Sequence, residues 1–129
     1  MDLEQLPEEL DTMLKAAVRA LDDRKAENLK VLYVGQISSI TDFLILATGN
    51  SEPHLKALLN TVAREWKDLH VRLIGSDSEQ GSGWAVIDAF DVMIHLFLPE
   101  QRDFYRLDDL WKDADSVDIR HFLQVEAGK

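Results

Sequence analysis

The sequence predicts an α/β (α+β) fold, a single domain in which a mixed sheet of about five strands is packed by helices. Two long segments carry apolar residues at helical spacing, and about five short runs are apolar or alternating and bounded by turn formers. Their order, helix, strand, strand, helix, three strands and a short helix, calls for a sheet that is neither wholly parallel nor wholly antiparallel. A length of 129 residues suits one core, assigned to residues 1–115. The remainder, 116–129, reads as a tail with the weak apolar pattern Val117, Ile119, Phe122 and Leu123, at most partly ordered.

The first element is an amphipathic helix. Leu10, Met13, Leu14, Ala17, Val18 and Leu21 form one stripe, Pro7 fits the first turn, and Glu8 and Glu9 face the positive end of the helix dipole. KVLYVG and DFLILATG follow as strands, the second almost continuously apolar, as a strand covered on both faces should be. Gly49, Asn50 and Ser51 then lead into a second helix with Ser51 as N-cap and a stripe of Leu55, Leu58, Leu59, Val62, Ala63 and Trp66. HVRLIGS reads as the third strand, and SDSEQGSG as the most loop-like stretch of the chain.

WAVIDAFDVMIHLF reads as a hairpin. A two-residue loop at Ala89 and Phe90 would set Trp84 opposite His95, Val86 opposite Met93 and Asp88 opposite Asp91. One face is then aliphatic, with Ala85, Ile87, Val92, Ile94, Leu96 and Leu98, and fit to lie under a helix. The other, with Trp84, Val86, Met93, His95 and Phe97, has the aromatic and methionine character of interface centres. After Pro99, the spacing of Phe104, Leu107 and Trp111 predicts a short amphipathic helix. Its aromatics beside Arg102 could anchor a partner or cap the domain's own core.

Composition narrows the chemistry. The chain has no cysteine, so disulfides, thiolate metal sites and cysteine nucleophiles are excluded. No apolar run reaches the roughly 18 residues of a membrane span and no signal peptide is evident, so the expected location is cytoplasmic. A net charge of −10 disfavours phosphate backbones and favours a basic protein partner.

Motifs for catalysis are weak. Gly49-Asn50-Ser51 matches neither a P-loop nor a dinucleotide fingerprint and reads as a capped turn. Asp77 with Glu79, or Asp88 with Asp91, could hold a metal for phosphoryl or nucleotidyl transfer, but the second pair reads more simply as turn-flanking. His54, His70, His95 and His121 lack metal-ligand spacing, and Ser51 with His54 lacks a nucleophile elbow. No metal or cofactor is therefore expected, and the residues favour binding over catalysis.

Four stretches together, ALDDRKAENLKVLYV, SSITDFLILATGNSEPHLKAL, WAVIDAFDVMIHLF and RDFYRLDDLW, resemble the ribosomal silencing factors, the Iojap-like proteins. The resemblance implies a nucleotidyltransferase-like but non-catalytic fold. It also implies a translational repressor that docks on the large ribosomal subunit through its basic L14-type ribosomal protein and sterically blocks the small subunit, notably when nutrients are scarce. Little direct nucleic-acid contact and no membrane contact are then expected, with a homodimer as a candidate free state. Its motif residues coincide with the aromatic face, making Trp84, Met93, His95, Phe97, Arg102, Phe104, Tyr105 and Trp111 the expected partner-binding set. The sequence departs from the family at Phe90, where glycine is common, and around Asp77-Ser78. A metal-dependent nucleotidyltransferase or phosphohydrolase on the same fold is the alternative.

Overall fold

In the computed structural model, residues 6–38, 41–78, 81–104, 109 and 112–123 are described, the side chains of 76–78 and 103–104 excepted. The elements run α1 (Glu8–Asp23), β1 (Glu27–Tyr33), β2 (Phe43–Thr48), α2 (Glu52–Asp68), β3 (Gly75–Ser78), β4 (Trp84–Asp88), β5 (Val92–Phe97), α3 (Pro99–Phe104), β6 (Asp115–Val117) and α4 (Arg120–Leu123). This is an α+β domain with one mixed sheet in the order β3-β4-β5-β2-β1-β6, in which β2 and β5 are parallel and the other pairs antiparallel. Among the described residues, no helix is long and apolar enough to cross a membrane.

The core lies between the sheet and α1 with α2. Leu14, Ala17, Val18 and Leu21 of α1 and Leu55, Leu58, Val62 and Trp66 of α2 meet Ile45, Ala47, Ile87, Ile94 and Leu96 of the sheet, all essentially inaccessible. Burial of each large aliphatic side chain contributes about 2 kcal/mol, which offsets the ordering of these helices. Trp66 adds a directional tie: its indole N–H donates to the Met13 carbonyl at 3.0 Å, fixing α2 against α1. A smaller cluster of Leu32, Val34, Leu44, Leu46 and Phe97 occupies the other side of the sheet, so β2 is buried on both faces, as its unbroken apolar run requires.

Three expectations need correction. The third strand begins at Gly75 rather than in HVRLI: only at Ile74, whose N–H donates to the Asp88 carbonyl, does the chain reach the β4 edge. Backbone pairing with β4 therefore recruits the polar Gly75–Ser78 stretch, since an edge strand requires hydrogen bonds more than apolar side chains. The hairpin register also differs, with Trp84 opposite Phe97, Val86 opposite His95 and Asp88 opposite Met93. Its loop is Phe90-Asp91, closed by the Ala89 N–H donating to the Val92 carbonyl. The displacement is by two residues, an even number, so every side chain keeps its face.

The boundary at 115 runs through β6. Val31 pairs with Val117, Phe122 of α4 is fully buried against the main core, and Arg19 Nε donates to the Phe122 carbonyl at 2.9 Å. Among the described residues the sheet thus has six strands, the sixth supplied by the segment read as tail.

Candidate functional site

Alternation along β4 and β5 builds the candidate face. Ala85, Ile87, Val92, Ile94 and Leu96 point into the helix-covered core, while Trp84, Val86, Met93 and His95 are half-buried on the opposite side. Trp84 packs on Phe97 with ring centroids 4.9 Å apart, and the His95 ring lies 5.8 Å from Phe97 at an interplanar angle of 3°. The Trp84 indole N–H donates to His95 Nδ1 at 3.1 Å. Accepting that bond requires a lone pair on Nδ1, so the neutral ring carries its proton on Nε2. Burial lowers the His95 pKa from 6.5 to about 4, against a smaller opposing pull from the Asp88 carboxylate. The face therefore presents a neutral aromatic surface whose Trp84 and His95 rings orient each other.

The expected set divides in the structure. Trp84, Met93 and His95 share this face and keep accessible surface. Phe97 is fully buried and offers none; it is the floor on which His95 stacks and against which Trp84 packs at a tilt. Arg102 is likewise turned inward, only 5 % exposed, with Nη1 donating to the Asn28 carbonyl at 2.7 Å and to Thr48 Oγ1 at 2.9 Å. Both were expected to contact a partner, and both present little surface of their own to it. Phe97 lies last in β5, where the alternation ends in two buried residues. The buried guanidinium spends its hydrogen bonds on a carbonyl and a hydroxyl of the domain itself. Phe104 lies in α3 with its side chain outside the described residues, and Tyr105, Leu107, Leu110 and Trp111 also lie outside them.

One support, Gly83, was not singled out from sequence, whereas Val86 was already placed on this face. Gly83 adopts φ +71, donates its N–H to Glu52 Oε1 at 2.8 Å and accepts at its carbonyl from Leu98 N–H. A Cβ there would stand 2.7 Å from Gln101 Oε1, the far end of a flexible side chain, so it is chiefly the positive φ that favours glycine before Trp84. Val86, half-buried between Trp84 and Asp88 and opposite His95, completes the face. The glycine-rich stretch before Trp84 was the visible signal, but the contact it permits is made with residues far along the chain.

Among the described residues the catalytic alternatives find no assembled machinery; the side chains of Asp77 and Glu79 lie outside them. At the start of α2, Ser51 Oγ accepts from the His54 N–H at 3.2 Å, and the Asn50 N–H donates to His54 Nδ1 at 3.0 Å. The Glu52 carboxylate stands beside them, bound to Gly83, so this turn is filled by its own capping groups. Asp88 Oδ1 accepts from the Phe90 N–H at 3.0 Å, the work of a turn former. Among the described residues, no three His, Cys, Asp or Glu side chains are grouped to hold a metal ion.

Comparison with known proteins supplies the context for this face. Residues 7–129 match the protein family described as ribosomal silencing factor during starvation. A protein named ribosomal silencing factor from Chromobacterium violaceum is 35 % identical over 103 residues, covering 80 % of this chain and 84 % of that one. A crystal structure of a Chromobacterium violaceum protein superposes with a TM-score of 0.74 at 32 % identity, covering 87 % of this chain and 88 % of its own. The mouse protein named mitochondrial assembly of ribosomal large subunit protein 1 is 30 % identical over 100 residues, 73 % of this chain and 42 % of its own.

Proposed function

This chain belongs to the ribosomal silencing factor family, and from that premise we propose that it represses translation by occupying the large ribosomal subunit so that the small subunit cannot join. The family match over residues 7–129 carries the reading. A relative named for assembly of the ribosomal large subunit points to the same particle. The docking partner in this reading is the basic L14-type ribosomal protein, and repression matters most under nutrient limitation in the cytoplasm. Contact is with protein rather than RNA, because a net charge of −10 attracts a basic protein and is repelled by phosphate.

In this mechanism the half-buried face of Trp84, Val86, Met93 and His95 is the centre of the contact. Trp84 presents a large ring held by a hydrogen bond to His95 and by ring contacts with His95 and Phe97, so little side-chain entropy is lost on binding. His95, neutral, adds Nε2–H as a donor without the desolvation cost of a buried charge. Binding is the whole activity. No chemical step is required, and exclusion of the small subunit follows from occupancy.

The test is incubation with separated ribosomal subunits followed by a joining assay. Co-sedimentation with the large subunit and reduced joining are expected. Trp84→Ala and Met93→Lys, each checked by circular dichroism for an intact fold, should weaken co-sedimentation about tenfold or more, as loss of an interface anchor does. Normal joining with no large-subunit binding by the parent protein would sink the proposal. Unchanged binding by both folded variants would remove this face from it. A mass that doubles with concentration in light scattering, together with no subunit binding, would instead give the face to a second copy of the chain.

A further inference from the structure

A second surface lies at the opposite end of the hairpin from Trp84. The loop Phe90-Asp91, the start of α1 and the segment Leu69–Ile74 after α2 enclose a groove of about 1080 Å³. Three of the four large hydrophobic side chains left exposed among the described residues line it: Leu69 at 40 %, Ile74 at 59 % and Phe90 at 68 %. Isolated exposed apolar residues are ordinary, but a contiguous group along one groove marks an interaction surface. Phe90 adds an independent observation. It holds φ +74, a conformation suited to glycine, and so keeps an exposed aromatic ring on the groove wall at the cost of backbone strain.

The rim indicates what would fill the groove. Glu8 and Glu9 stand on the α1 side and Asp91 on the hairpin side, against Arg72 as the one permanently charged cation among the described lining residues. The carboxylates flank an apolar floor that includes Met13, Val71 and Leu73. Such a frame repels phosphate groups and anionic membrane surfaces and attracts lysine and arginine. We propose that this groove docks a short amphipathic protein segment, with apolar side chains laid against Leu69, Ile74 and Phe90 and basic side chains reaching Glu8, Glu9 and Asp91. Because the groove lies at the loop on the α1 side of the sheet, whereas Trp84 and His95 stand on the opposite face, the domain can hold this segment while that face is engaged.

The experiment uses an amphipathic peptide of leucine and lysine as probe, its leucine and glutamate counterpart as control, and amide chemical shifts of the full chain as readout. Addition of the basic peptide should shift resonances of residues 69–74 and 89–91, while the acidic peptide should leave them unmoved. Phe90→Gly, which relieves strain and so keeps the fold, and Ile74→Ser should each weaken binding about tenfold, the effect of losing one apolar anchor. Shifts confined to the Trp84 face, equal binding of both peptides, or unchanged affinity in both variants would overturn the proposal. So would binding seen only after removal of residues 1–5, which would assign the groove to the chain's own N-terminal segment. Loss of the peptide site in a concentration-dependent dimer would assign it to a second copy.

Discussion

At the scale of the residue, His95 shows how burial and one hydrogen bond define a chemical state. Its folded pKa, about 4, lies below the ordinary 6.5, so between these values the unfolded chain binds the proton that the folded chain refuses. Stability contributed here is fully present above pH 6.5 and is lost as pH falls through 4. Urea titrations across that window should show a decline that His95→Gln reduces. Phe90 makes the opposite case, a residue that opposes its backbone. Because its ring is 68 % exposed and its φ is +74, Phe90→Gly should gain about 1 kcal/mol, raising Tm by about 3 °C in a thermal melt. Sequence alone placed Trp84 and His95 on one face because side chains alternate with period two. It did not reveal the inward turn of Arg102, whose partners, Asn28 and Thr48, are distant in sequence.

At the scale of the element, the helices were legible in their apolar stripes and, for α2, in the Ser51 N-cap, but not in their C-terminal ends. Both α1 and α2 close with the paired hydrogen bonds of a Schellman turn, Ala26 N–H to the Leu21 carbonyl and Val71 N–H to the Trp66 carbonyl. The left-handed position in each is filled by Lys25 or His70 rather than glycine, so the usual stop signal is absent. The strand β3 was concealed for a different reason: its pairing with β4 is a backbone property that polar side chains do not announce. The last elements test where the domain ends. Phe122 is fully buried, and His121 Nε2 lies 3.2 Å from Asp11 Oδ1, joining α4 to α1. Phe122→Ala should therefore cost about 3–5 kcal/mol, seen as a lower urea midpoint at unchanged slope. Had 116–129 been a solvated tail, the midpoint would not move.

At the scale of the whole molecule, charge and topology divide the work. A net charge of −10 is a long-range property, and association with a basic partner should slow as salt screens it. Stopped-flow mixing with large subunits in rising potassium chloride should give falling association rates, and a salt-independent rate would remove electrostatic steering from the proposed docking. The sheet order gives the β4–β5 hairpin one face on the helical core and another half-buried on the opposite side, and that second face and the hairpin loop carry the two candidate surfaces. By itself the sequence determined the fold class, the helical stripes, the doubly buried β2 and the identity of the hairpin's two faces, because these depend on periodicity along the chain. Tertiary structure alone decided the hairpin register, the recruitment of Gly75–Ser78 and Asp115–Val117 into the sheet, the burial of Phe97 and Arg102, and the groove beneath Phe90. Each of these depends on which distant segment supplies a hydrogen-bond partner or an apolar neighbour, and that is set only when the chain has closed on itself.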